Sequence, residues 1–112
     1  MSVRLRLDKP WQKLTAESAQ RLPGQLGVYQ VADGQGAVLY IGQAGARSPF
    51  GLRSELQREL AERGPGCQFR VEVNQQYRTR WFELLMVHQA DHGSLPSDNA
   101  ENPPPLGRLS PN

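Results

Sequence analysis

A chain of 112 residues with net charge +2 has room for one small domain and no separate recognition module, so any specificity must sit on the surface that does the chemistry or come from a protein partner. The single Cys67 excludes an internal disulfide, and the chain carries neither a signal peptide nor an apolar run of membrane-spanning length, so a cytoplasmic, reducing setting with no membrane contact is expected. Eleven arginines stand against two lysines. That bias suits bidentate phosphate contacts, although an Arg-rich codon usage would produce it too.

Residues 1–14 mix basic and apolar positions and read as an arm or edge strand anchored by Trp11. Thr15 is placed to cap a short helix that ends near Arg21, where Leu22, Pro23 and Gly24 stop it. Residues 28–31 and 37–41 are rich in β-branched and aromatic side chains and flank the loop-forming Asp33-Gly34-Gln35-Gly36, the pattern of a hairpin. A turn symmetric about Gly34 and Gln35 puts Tyr29 opposite Tyr40 on one face, about 5 Å apart at Cβ. Gly42 beside them is expected to leave room for a ligand, whereas plain sheet packing would also account for the tyrosine pair.

Ser48 and Pro49 are expected to open a helix reaching about Arg63, with Gly64 as its stop. Leu52, Leu56 and Leu60 define its packed face, which puts Arg53 at the buried edge. A guanidinium there needs an anionic guest such as a phosphate, an internal salt bridge, or a route to water. Residues 68–73 alternate as a third strand. A long helix then runs from Tyr77 to about His92, ended by Gly93. Glu83 interrupts its apolar run and calls for a cation, a set of hydrogen-bond donors or partial exposure at the sheet edge; a metal ion or a salt bridge to Arg53 would satisfy it. Arg78 and Arg80 line either a phosphate groove or a solvated face, and His88 is read as a packing residue with a polar tip. Residues 103–112 form a proline-rich tail. The fold class is therefore α/β of the α+β kind, a three-stranded antiparallel sheet flanked by helices.

Taken in order, Gly27-Val28-Tyr29, Tyr40-Ile41-Gly42, Arg53, Glu83 and Asn99, three residues after Pro96, resemble the GIY-YIG nuclease domain of homing endonucleases, some restriction enzymes and the incision subunit of bacterial excision repair. The resemblance covers about residues 22–102, and it sets the expected domain at 15–102. It implies a metal-dependent endonuclease that hydrolyses phosphodiester bonds of DNA, in a repair or recombination setting, with Mg²⁺ or Mn²⁺ on Glu83. It further implies that Tyr29, Tyr40, Arg53, Glu83 and Asn99 form the catalytic set. Gly42, Gln43, Gln57, Arg78 and Arg80 are the expected nucleic-acid contacts. Gln57 stands where family members often carry Tyr or His, and an amide bonds phosphate or water without exchanging a proton. A catalytically impaired nucleic-acid-binding module, or an accessory subunit on the same scaffold, is the alternative.

Overall fold

The computed structural model describes residues 6–103; the first five residues of the expected arm and residues 104–112 of the expected tail lie outside it. The elements run β1 (Gln12–Lys13), α1 (Ala16–Gln20), β2 (Gly27–Ala32), β3 (Val38–Ala44), α2 (Gly51–Arg63), β4 (Gln68–Val73), α3 (Tyr77–His92) and α4 (Ser97–Glu101). One antiparallel sheet has the order β1-β4-β2-β3, four strands rather than three. The extra strand is two residues long, too short for alternation to reveal, and it puts Gln12 and Lys13 at the sheet edge. Trp11 anchors it by stacking on the Arg70 guanidinium, 4.1 Å from the ring centroid.

All six residues of the central β2 are buried because helices cover both faces. Alternation sends Tyr29 and Val31 to one side, where they meet Leu52 and Leu56 of α2 and Phe69 of β4. Val28 goes to the other side and, with Ile41 and Leu7, meets Leu84 and Leu85 of α3. The chain leaves the β3 edge through α2 and re-enters on the far side of β2 as β4, which is why α2 and α3 end on opposite faces.

The turn differs from the symmetric expectation. Asp33 N–H donates to Ala37 O at 3.0 Å across a three-residue loop, Gly36 sits at φ 93°, and the Asp33 carboxylate accepts from Gln35 and Ala37 N–H. This loop alone would set Tyr29 opposite Ile41 and send the two phenols to opposite faces. A bulge restores them: Ala32 pairs with Val38 and Val31 with Tyr40, so Leu39 has no counterpart. Tyr29 consequently faces Gly42, and Tyr40 lies two residues along on the same face, diagonal to Tyr29 rather than opposed to it.

The helix boundaries have identifiable physical causes. Thr15 caps α1 through a reciprocal pair of bonds with Ser18. α2 starts at Gly51, not at Ser48-Pro49, because residue 51 takes φ 55° and a Cβ there would lie 2.2 Å from Gln25 O. Gly64, at φ 77°, ends α2, and left-handed Gly93 ends α3.

Candidate functional site

The tyrosine pair sits under the C-terminal half of α2. Ring centroids of Tyr29 and Tyr40 are 6.0 Å apart at 55°. The space that Gly42 vacates is taken by Tyr29 itself: a Cβ on Gly42 would lie 2.3 Å from the phenol carbon, so the glycine serves the ring and not a ligand.

Tyr29 is 0 % exposed and donates its hydroxyl to Glu59 Oε2 at 2.7 Å. Glu59, 2 % exposed, is the carboxylate of this site, and it is held by Arg63, whose Nε donates to Oε1 at 2.7 Å. Arg58 Nη2 lies 3.6 Å from Glu59 Oε2 and 2.5 Å from Glu55 Oε1. Arg63 also reaches Asp98 of α4 at 2.6 Å, and its guanidinium stands 5.7 Å from the Tyr40 ring centroid. Burial, followed by the Glu59 charge, pushes the Tyr29 phenol well above its ordinary range. Burial and Glu59 also raise Tyr40, against the opposing pull of Arg58. Both phenols are therefore hydrogen-bond donors at neutral pH rather than bases.

The structure does not bring Arg53 to this cluster. It lies in the first turn of α2, where its Nε donates to Leu22 O at 2.9 Å and its guanidinium is 6.0 Å from the Phe50 ring centroid. Arg58 and Arg63, one to three turns further along, are the cations beside the tyrosines. Glu59 and Arg63 continue the Leu52–Leu56 stripe at helical spacing, so a carboxylate interrupting the packed face of α2 was the available signal.

Glu83 lies on α3, over the other face of the sheet. Its partner is Arg80, not Arg53: Arg80 Nη1 donates to Glu83 Oε1, while Arg80 Nε donates to Glu72 Oε2 at 2.9 Å. Arg80 is thus buried in an ion triad and lines neither a groove nor a solvated face; Arg78 is exposed. Burial opposes ionisation of Glu72, yet hydrogen bonds from Arg80 and Asn74 hold its carboxyl below the usual range. Among the described residues no three His, Cys, Asp or Glu side chains gather as a metal cage. Glu83 is 42 % exposed, so it fits the minimal requirement of a hydrated hard cation, one accessible carboxylate, provided the ion shares it with Arg80.

Asn99 is buried where α4 meets the outer edge of β3. Its Oδ1 accepts from Ile41 N–H at 2.8 Å and its Nδ2 donates to Ile41 O at 3.0 Å, as a neighbouring strand would. Trp81 Nε1 donates to the same carbonyl at 2.8 Å. Gln43 pairs with Val28 and so projects to the α3 face, whereas Gln57 is exposed on α2. His88 is half-buried with Nδ1 3.0 Å from Ser94 O, which agrees with a packing role.

No curated protein and no solved structure matches the chain. A family model described as "Domain of unknown function (DUF7508)" matches residues 5–91, which takes in the whole sheet, the Tyr29–Glu59–Arg63 cluster and nearly all of α3. The chain therefore belongs to the DUF7508 family.

Proposed function

We propose that this chain acts on DNA as a metal-dependent endonuclease of the kind that its GIY-YIG-like motifs imply. The observation that supports the reading is the clasp of Asn99 on Ile41, which ties the last motif residue to the backbone between Tyr40 and Gly42. Residues 58 positions apart, singled out by one motif order, share one structural unit.

Tyr40, half-buried, is the phenol within reach of a substrate, and it offers a hydrogen bond to a phosphate oxygen. Tyr29 is enclosed and positions Tyr40 by ring contact. Arg58, partly exposed, supplies positive charge for a phosphoryl group. A divalent ion, when bound, would supply Lewis-acid neutralisation of the leaving oxygen, with Glu83 as its protein ligand.

The test is nicking of supercoiled plasmid in Mg²⁺ or Mn²⁺. Wild type is expected to nick, Glu83→Ala to abolish nicking, and Arg58→Ala to slow it by about 10²-fold. Intact plasmid with wild type overturns the enzyme reading. A second reading, a binding module without turnover, is favoured by two observations: the Tyr29 hydroxyl is committed to Glu59, and Glu83 sits on the opposite face bonded to Arg80. It predicts that the plasmid is retarded in EDTA and never cut.

A further inference from the structure

Three loops leave the same end of the sheet and carry a surface that the tyrosine cluster does not use. Gly27, which begins β2, pairs with Ala44 on one side and Val73 on the other, so segments 21–26, 45–50 and 74–76 emerge together. Bonds knit them into one surface: Leu52 N–H to Gln25 O at 2.9 Å, Arg53 Nε to Leu22 O at 2.9 Å, and Asn74 N–H to Leu26 O at 3.0 Å. Gly45 lies so close to Tyr77 that a Cβ would fall 2.8 Å from the ring, which docks the start of α3 on the same end.

This end holds the exposed large hydrophobic side chains found among the described residues, Phe50 at 59 % and Val73 at 47 %. Gly24 packs on the Phe50 backbone, and a shallow cavity of about 510 Å³ runs from Gly24 and Gln25 to Val73 and Gln75. The carboxylates bonded to these loops, Glu55 on Ser48 and Glu72 on Asn74, are paired with Arg58 and Arg80. Arg21, Arg47 and Arg78 are exposed and make no salt bridge among the described residues, whereas Arg6, Arg58, Arg63 and Arg80 each have a carboxylate partner. Arg53 stands beside the Phe50 ring.

An exposed ring with Arg53 beside it, on a sheet end whose loops and adjoining helix also carry Arg47 and Arg78, suits a polyanion that offers a free aromatic face. Single-stranded nucleic acid has both, whereas a duplex keeps its base faces stacked on one another. We propose that this sheet end binds single-stranded DNA, with an unpaired base stacked on Phe50 and neighbouring phosphates on Arg47 and Arg78. The inference rests on the nucleic-acid reading above and narrows its substrate to DNA that is unpaired where it meets the start of α2. Tyr40 lies opposite Val31, four residues along β2 from Gly27, about 13 Å at the rise of a strand, so one bound strand spans both.

Fluorescence anisotropy in EDTA, with a labelled oligothymidylate and a labelled blunt duplex, tests it. Phe50→Ala is expected to weaken single-strand binding by about tenfold and duplex binding by less than about twofold. Phe50→Trp is expected to retain single-strand binding and to show added fluorescence that the oligonucleotide quenches. Arg47→Ala and Arg78→Ala weaken both probes and flatten the salt dependence of Kd. Phe50 is mostly exposed, so unchanged circular dichroism separates lost binding from lost folding. Wild-type-like binding by Phe50→Ala, an equal loss on both probes, or no binding of either probe by wild type overturns the inference. Plasmid nicking is read separately: nicking without Phe50-dependent binding leaves the nuclease reading and removes this one, and Phe50-dependent binding without nicking does the reverse.

Discussion

At the scale of single residues, the buried Tyr29–Glu59 bond decides what the tyrosine pair does. Glu59 is enclosed, and Arg63, Arg58 and the Tyr29 hydroxyl surround its carboxyl group. Tyr29→Phe removes one of those donors and is expected to cost about 1–3 kcal/mol, measured as a lowered urea midpoint. A pH effect follows from the same bond. The folded phenol titrates above the unfolded value of about 10, so above that pH the unfolded chain holds fewer protons than the folded one and stability falls as pH rises. Urea melts from pH 9 to 11, about one unit on either side of the free phenol value, should show this loss in wild type and a smaller one in Tyr29→Phe. Both tyrosines share one face as expected, but by a three-residue turn and a bulge in place of the symmetric turn, and with Tyr40 diagonal to Tyr29 rather than opposed to it. Glu59 was not legible in the sequence, because a stripe counted every four residues from Leu52 reaches Leu60 and skips it.

At the scale of elements, the hairpin shows how one extra residue sets a site. The strands and the glycine loop follow from local composition, but the three-residue turn and the Leu39 bulge jointly fix the register. Either alone would leave the phenols on opposite faces. Gly42 then becomes a contact of Tyr29, and Gly42→Ala should cost about 1–3 kcal/mol or more by forcing the buried ring to move, seen as a lowered melting temperature. Combining it with Tyr29→Leu, which vacates that space, should cost less than the sum of the two single changes. The start of α2 was misplaced for a similar reason. Ser48-Pro49 is a good local start, yet the close approach of Gln25 demands a left-handed glycine at 51, and that contact is non-local.

At the scale of the whole molecule, the two long helices divide the predicted site. α2 carries Arg53, Arg58, Glu59 and Arg63 over one face, and α3 carries Glu83 and Arg80 over the other. The edge strand β3 links them, since Asn99 and Trp81 both bond Ile41 while Arg63 bridges to Asp98 beside Asn99. Asn99→Ala removes a donor and an acceptor from a buried peptide and should cost about 1–3 kcal/mol, with faster amide hydrogen exchange at Ile41 than at Val31. Asn99→Asp keeps the acceptor for Ile41 N–H, so its exchange should fall between that of wild type and the alanine variant.

The sequence by itself determined the α+β class, the hairpin with Tyr29 and Tyr40 on its two strands, and the long helices with their glycine stops. These rest on side-chain periodicity and turn chemistry, which are properties of short windows and their succession. Only the tertiary structure decided the partners: Glu59 for the Tyr29 phenol, Arg80 rather than Arg53 for Glu83, and Tyr29 rather than open space for Gly42. A charge buried by a fold takes the nearest opposite charge, and which one is nearest depends on register, crossover and helix rotation, none of which a local window contains.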